Sequence, residues 1–296
     1  MAHIPVLQKE VIEYLEPKAN ENFIDCTFGE GGHSLSILKE NGPQGKVLGI
    51  EIDRDVYEKN GQRSEWAEFQ NRLILANDSY VNVRKIIEEK NFKPVNGILA
   101  DLGMSSWHIE ESKKGFSFQK DERLDMRYDA LRNELTAEKI INSWSQESIE
   151  KILLEYGEEK FSRKITEEII KARSRRPITT TYQLVEVIKR AIPKRHSYGK
   201  IHFATRVFQA LRIAVNKELD NLERFLPEAV DILSPGGRIA IISFHSLEDR
   251  IVKLFFKSLS SNKIKILTKK PITPNKEEIK NNPRSRSAKM RVAVKI

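Results

Sequence analysis

The stretch Phe23-Ile24-Asp25-Cys26-Thr27-Phe28-Gly29-Glu30-Gly31-Gly32-His33-Ser34 constrains the fold more than any other part of the chain. A short apolar strand runs into three glycines, and a helical pattern begins at once with Leu35, Ile37 and Leu38. Glycine lacks Cβ, so the backbone there can turn sharply and lie against a ligand. The helix that follows points unpaired N–H groups at the same place. Further on, Lys46-Val47-Leu48-Gly49-Ile50-Glu51-Ile52-Asp53 reads as a second strand ending in a carboxylate. Strand, glycine turn, helix, strand and terminal acid predict a nucleoside cofactor, with Asp53 accepting hydrogen bonds from ribose hydroxyls.

The glycine spacing narrows the choice of cofactor. A dinucleotide turn needs Gly-x-Gly-x-x-Gly, whose last glycine lets helix and strand close around a pyrophosphate. Gly29 and Gly31 fit that pattern, but Ser34 takes the final place and Gly32 is extra. The looser Gly-x-Gly-Gly suits S-adenosylmethionine, which has no phosphates and a cationic sulfonium. Methyl transfer therefore stands ahead of hydride transfer. The bland alternative is a glycine-rich turn that binds nothing.

Around this turn the pattern is that of an α/β chain. Residues 5–16 have helical spacing closed by Pro17, and Asp55 to Trp66 reads as a helix over the sheet. Arg72 to Tyr80 is a third strand with its exit loop, Val83 to Lys90 is helical, and Val95 to Gly103 is a fourth strand ending in Asp101. Alternation of this kind predicts a parallel, doubly wound sheet. Residues 104–204 break it: a charged, Gly- and Ser-containing loop runs through Asp129, and helical patterns follow near 136–143, 147–156, 161–173 and 181–191. Pro177 and Pro193 act as stops. Ala204 to Leu226 reads as one long helix, Gly236 and Gly237 lead into a fifth strand, and Leu247 to Leu259 is helical. Residues 265–267 and 290–294 are the last two strands, an expected antiparallel pair at the edge. Residues 268–288 between them read as a mobile basic loop.

With 296 residues, 39% of them hydrophobic and 31% charged, the chain is expected to be a soluble, cytoplasmic protein. No apolar run approaches the ~20 residues of a membrane span, and Met1 to Leu7 lacks the features of a secretory signal. The single cysteine, Cys26, excludes an internal disulfide and a thiolate zinc cluster. Residues 263–296 carry eight Lys and three Arg against Glu277 and Glu278, which accounts for the whole net charge of +9. Two further basic clusters are Lys171, Arg173, Arg175 and Arg176, and Lys189, Arg190, Lys194, Arg195 and Lys200. Clustered cations point to a polyanion, nucleic acid first, with a merely solvated face as the alternative.

Six strings carry a closer likeness: Thr27 to Ser34, Asp101 to Ser106, Gly115 to Phe118, Leu124 to Arg127, Ala204 to Arg212 and Ser243 to Arg250. Together they strongly resemble the bacterial ribosomal RNA small subunit methyltransferase H family, in family order over nearly the whole chain. The resemblance implies a class I (Rossmann-like) S-adenosylmethionine methyltransferase domain with an inserted all-helical domain. The expected division is 1–104 and 205–296 for the methyltransferase domain and 105–204 for the insert, a substrate-recognition module. The implied reaction is methylation of N4 of a P-site cytidine in 16S rRNA, within the small ribosomal subunit. No membrane partner is expected, and the oligomeric state is left open. The implied cofactor contacts are Gly31, Gly32, His33, Asp53, Tyr80 and Asp101. One position departs: where the family has Gln, two residues after Ser106, this chain has His108.

The expected catalytic residues are Asp101 and His245. Methyl transfer to an exocyclic amine needs the nitrogen held in line with the methyl and an acceptor that frees its lone pair from the ring. Asp101 suits that acceptor, with a loop-capping or purely cofactor-binding acid as the alternative. His245 lies at a sheet's carboxyl edge, where such folds place ligands; it either meets the base or orders its loop. His33 orients backbone, and Asp125 with Arg127 either fastens RNA or forms an internal pair. An NAD-dependent oxidoreductase and a non-enzymatic RNA-binding factor remain the two alternatives.

Overall fold

A computed structural model describes residues 4–193 and 202–296. Lys194, Arg195 and Lys200 of the third basic cluster lie outside the described residues. The chain divides into two compact units, Met1–Gly103 with Leu219–Ile296, and Met104–Glu218.

The first unit is built on a seven-stranded sheet of order β3-β2-β1-β4-β5-β7-β6. Its strands are β1 (Phe23–Asp25), β2 (Val47–Glu51), β3 (Leu73–Asn77), β4 (Gly97–Asp101), β5 (Arg238–Ser243), β6 (Ile264–Ile266) and β7 (Lys289–Lys295). β1 pairs in parallel with β2 and β4, β2 with β3 and β4 with β5, while β7 runs antiparallel to both β5 and β6. The last two strands do form the expected antiparallel pair at one edge of the sheet, with β6 outermost and β7 between it and β5.

Parallel strands covered on both faces read as continuous apolar runs. Here alternate residues serve two cores. Ile24, Ile50, Ile98, Ala100, Ile239 and Ile241 face one way, against α4 (Val83–Glu89), α11 (Glu218–Ile232) and α12 (Ser246–Leu259). Phe23, Val47, Leu99, Ala240 and Ile242 face the other, against α1 (Gln8–Leu15) and α2 (Gly32–Glu40). Over β2, α3 (Arg54–Gly61) ends sooner than the helical pattern suggests, and a 3-10 segment (Ser64–Phe69) carries Trp66 into the core.

Residues 268–288 are not the loop that their composition suggests. α13 (Lys276–Asn281) is capped by Asn275, and a 3-10 turn (Pro283–Ser287) follows it. Local polarity misleads because the anchors are distant. Leu7 N–H donates to Glu278 Oε1 at 2.7 Å, Asn282 Nδ2 donates to the Ile4 carbonyl at 3.0 Å, and Ile272 pairs with Met290.

The second unit is helical: after α5 (Ser106–Glu110), α6 (Ala137–Ser143), α7 (Gln146–Glu155), α8 (Ser162–Arg173), α9 (Thr181–Ala191) and α10 (Thr205–Asn216) surround one core. Thr136, Ser145 and Thr180 supply N-caps to α6, α7 and α9, satisfying amides that would otherwise be orphaned. The single helix expected over 204–226 is two. Lys217 adopts the left-handed conformation (φ 51°) between α10 and α11. Asn216 holds the break, donating to the Met126 carbonyl at 2.8 Å and accepting from Tyr128 N–H at 3.0 Å. The Arg212–Glu218 ion pair, 2.8 Å, spans it. The helical unit therefore extends one helix beyond the expected boundary at 204, through Glu218.

Candidate active site

The glycine turn lies where the strand order reverses, between β1 and β4, the point at which doubly wound sheets bind ligands. Gly31 sits at φ +78°, and a Cβ there would lie 2.5 Å from the Trp66 ring, so the position accepts glycine alone. Asn60 Nδ2 donates to the Gly29 carbonyl at 2.6 Å and Arg63 to the Glu30 carbonyl at 2.8 Å, which fixes the turn from the α3 side. No side-chain cap closes the first turn of α2.

Two buried acids that the sequence reading did not single out as site residues hold this turn in place. Asp25, at the end of β1, accepts from Ser34 Oγ at 2.7 Å and from Thr27 N–H at 3.2 Å. Burial pushes its pKa up, against the pull of His33 and these hydrogen bonds. Glu51, at the end of β2, accepts from Gly29 N–H and from Asp53 N–H, both at 2.8 Å. The sign available for both was an acid inside an apolar strand, because a buried carboxylate must find donors. Ser34 spends its hydroxyl on Asp25 and is fully buried, so this turn keeps a side chain where a dinucleotide turn needs none.

Burial pushes Glu51 from its ordinary 4.5 to about 7, despite the two amides that favour its charged form. A raised carboxyl pKa in the folded chain means that the group's contribution is fully present below about pH 4.5 and lost as pH rises through about 7. At ~1.36 kcal/mol per pKa unit the loss is on the order of 3 kcal/mol. Thermal unfolding followed against pH should show wild type losing ground to Glu51→Gln, which cannot ionise, across that window. Parallel curves would remove the effect from Glu51.

Asp53 is buried and caps α3, its Oδ1 accepting from Asp55 N–H at 2.9 Å. Tyr80, at the exit of β3, packs edge-on against Phe225 with ring centroids 5.0 Å apart. Asp101 ends β4, and its N–H donates to Thr27 Oγ1 at 2.7 Å, joining the exits of β1 and β4. Its Oδ2 lies 3.7 Å from His33 Nε2. Asp101 Oδ1 and both His33 ring nitrogens are buried without a hydrogen-bond partner. Buried polar atoms are seldom left unpaired, and three together at a switch point mark a place built for a polar ligand.

His245 caps α12: its Nδ1 accepts from Glu248 N–H at 3.4 Å, and its Nε2, 3.2 Å from Glu248 Oε1, is buried without a hydrogen-bond partner. Glu248 Oε2 accepts from Phe244 N–H at 2.9 Å. A Cβ on Gly103 would lie 2.6 Å from the Phe244 ring, so the exits of β4 and β5 are in close contact. Gly31, Gly32, His33, Asp53, Tyr80, Asp101 and His245 all lie at or beyond strand ends of the first unit. His108 belongs to the helical unit, buried edge-on against the rings of Trp107, Phe116 and Tyr128 with Nδ1 2.8 Å from Ser105 Oγ. Asp125 and Arg127 pair with each other, at 2.8 and 2.7 Å. Although burial pushes the Asp125 pKa up, the Arg127 bonds hold it below the usual carboxylate range.

The five parallel strands, the glycine turn at the switch point, the strand-end acid Asp53 and the buried polar atoms of His33 and Asp101 define a class I, S-adenosylmethionine-dependent methyltransferase. Residues 1–296 match the MraW methylase family, and the chain belongs to it. It is 49% identical over 295 residues to "Ribosomal RNA small subunit methyltransferase H" of Thermosipho melanesiensis, covering 99% of this chain and 98% of that protein. It is 45% identical over 294 residues to the protein of the same name from Thermotoga neapolitana, covering 98% and 95%. Among the described residues, no helix is long and apolar enough to cross a membrane.

Proposed function

We propose that this methyltransferase acts in the cytoplasm on 16S rRNA of the small ribosomal subunit, placing a methyl group on N4 of a P-site cytidine. The observation that carries the reading is Asp101 Oδ1, a buried acceptor without a partner at the end of β4. The names of the curated relatives support the RNA class, as does a net charge of +9.

Gly31, Gly32 and His33 would hold the cofactor at the turn, Asp53 would accept from its ribose hydroxyls, and Tyr80 would contact its base. Bound there, S-adenosylmethionine supplies an electrophilic methyl on a cationic sulfur. Asp101 accepts a hydrogen bond from the cytidine amino group and so localises the nitrogen lone pair. His245 positions the loop after β5 through Glu248, and the proton that the amino group sheds on methylation passes to Asp101. His108 takes the place of the family's Gln, and the helical unit recognises substrate.

Methylation at ring carbon C5 uses a cysteine thiolate added to C6. Cys26 is the only cysteine; it lies buried in the core beyond β1, where burial and Asp25 hold its thiol well above the usual range. Cys26→Ala is therefore expected to retain most of its turnover and lose only about 1 kcal/mol of stability. Loss of turnover in a folded, cofactor-binding Cys26→Ala protein would overturn the N4 assignment.

A further inference from the structure

The helical unit carries a groove between α8 and α9 that the cofactor turn and its acids do not use. Its volume is about 560 Å³, within the ~300–1,000 Å³ of small-ligand sites. Lys171, Arg175, Arg176 and Arg190 line it, against Glu168 and Glu186. Lys171 is drawn to Glu168 at 3.4 Å, and Arg190 Nε donates to the Glu186 carbonyl at 3.1 Å. Arg175 and Arg176 are exposed, and among the described residues no carboxylate pairs with either guanidinium.

Tyr182, in the first turn of α9, lines the same groove and is 48% exposed. It is braced as well: its hydroxyl donates to the Gln119 carbonyl at 3.1 Å and its N–H to Asp121 Oδ1 at 3.3 Å. A large aromatic ring held in solvent beside two unpaired guanidiniums suits a strand that offers a free base and phosphates together. A duplex keeps its bases stacked inside and offers the ring nothing. An acidic polypeptide satisfies the arginines but gives Tyr182 no planar partner.

We propose that the α8–α9 groove binds a single-stranded RNA segment, one base stacked on Tyr182 and phosphates on Arg175 and Arg176. The proposal rests on the RNA methyltransferase reading and adds the place where the helical unit grips its substrate.

The test is fluorescence anisotropy of the full chain with a short labelled single-stranded RNA, a hairpin duplex of equal length, and polyglutamate as competitor. Wild type should prefer the single strand. The double variant Arg175→Ala/Arg176→Ala should bind more weakly, with the log–log salt slope shallower by about 1.4, at ~0.7 per phosphate. Tyr182→Ala should weaken binding about tenfold, and Tyr182→Phe, which keeps the ring but loses its hydroxyl brace, should fall between Ala and wild type. Thermal unfolding and circular dichroism should match wild type in all variants, which confirms their fold, and calorimetric titration with S-adenosylmethionine should give unchanged affinity. Variants that bind RNA like wild type, while wild type methylates rRNA, would sink the groove and leave the methyltransferase reading standing. Polyglutamate competing charge for charge as well as RNA would also sink it. Variants that lose RNA binding, in a protein that methylates no RNA, would uphold the groove and overturn that reading instead.

Discussion

Asp101→Ala is expected to lower turnover at saturating cofactor by about two to three orders of magnitude. An exocyclic cytidine nitrogen shares its lone pair with the ring, and an acceptor on its N–H is needed to localise it. Asp101 Oδ1 is buried and unpaired, so it can give that acceptor without first breaking another bond. The fold should survive, because the bond that joins the strand exits, Asp101 N–H to Thr27 Oγ1, comes from the backbone. Asp101→Asn keeps one acceptor oxygen and should fall between Ala and wild type. Single-turnover methylation, with cofactor affinity measured in parallel, separates the two roles open to this acid. A purely cofactor-binding Asp101 would show lost affinity with full turnover at saturation, and that result would remove it from the chemistry.

The second large effect is on cofactor affinity. Asp53→Ala should weaken S-adenosylmethionine binding by at least about tenfold, since a charge-assisted hydrogen bond to ribose contributes ~1.5–3 kcal/mol. The same change should destabilise the fold by about 1 kcal/mol, because Asp53 also caps α3 through Asp55 N–H. Asp53→Asn keeps a capping oxygen and loses the charge, so it should bind weakly yet unfold near the wild-type temperature. Calorimetric titration and thermal unfolding of both variants make the comparison. Unchanged affinity in both would take Asp53 out of the site.

The sheet was legible because its central strands β1, β2, β4 and β5 are buried on both faces and read as apolar runs, as Ile98-Leu99-Ala100-Asp101-Leu102-Gly103 does. Helix limits in the insert were legible through their caps and proline stops; α9, with Thr180 and Gln183 forming a capping box, begins and ends where the spacing put it. The break at Lys217 was hidden. The apolar positions Phe208, Leu211, Ala214, Val215, Leu219 and Leu222 run through it at helical spacing, and the bonds that make it come from Met126 and Tyr128. Residues 268–288 looked unstructured because their anchors, Leu7 and Ile4, lie at the other end of the chain. Glu51 was overlooked beside Asp53 because one of its two amide partners, Gly29, is 22 residues away. The imidazole of His108 was legible as a departure from the family's pattern, but its burial among three aromatic rings was not.

The claim that this protein methylates a cytidine amino group has one direct test. Small-subunit 16S rRNA lacking the modification is incubated with the protein and S-adenosylmethionine bearing a heavy methyl, digested to nucleosides, and analysed by mass spectrometry. The heavy methyl should appear on cytidine with a fragment that retains it on the base, co-migrating with N4-methylcytidine and formed far more slowly when Asp101→Ala replaces wild type. Heavy methyl found on C5 of cytidine, on another nucleoside, or on no RNA at all would contradict the account.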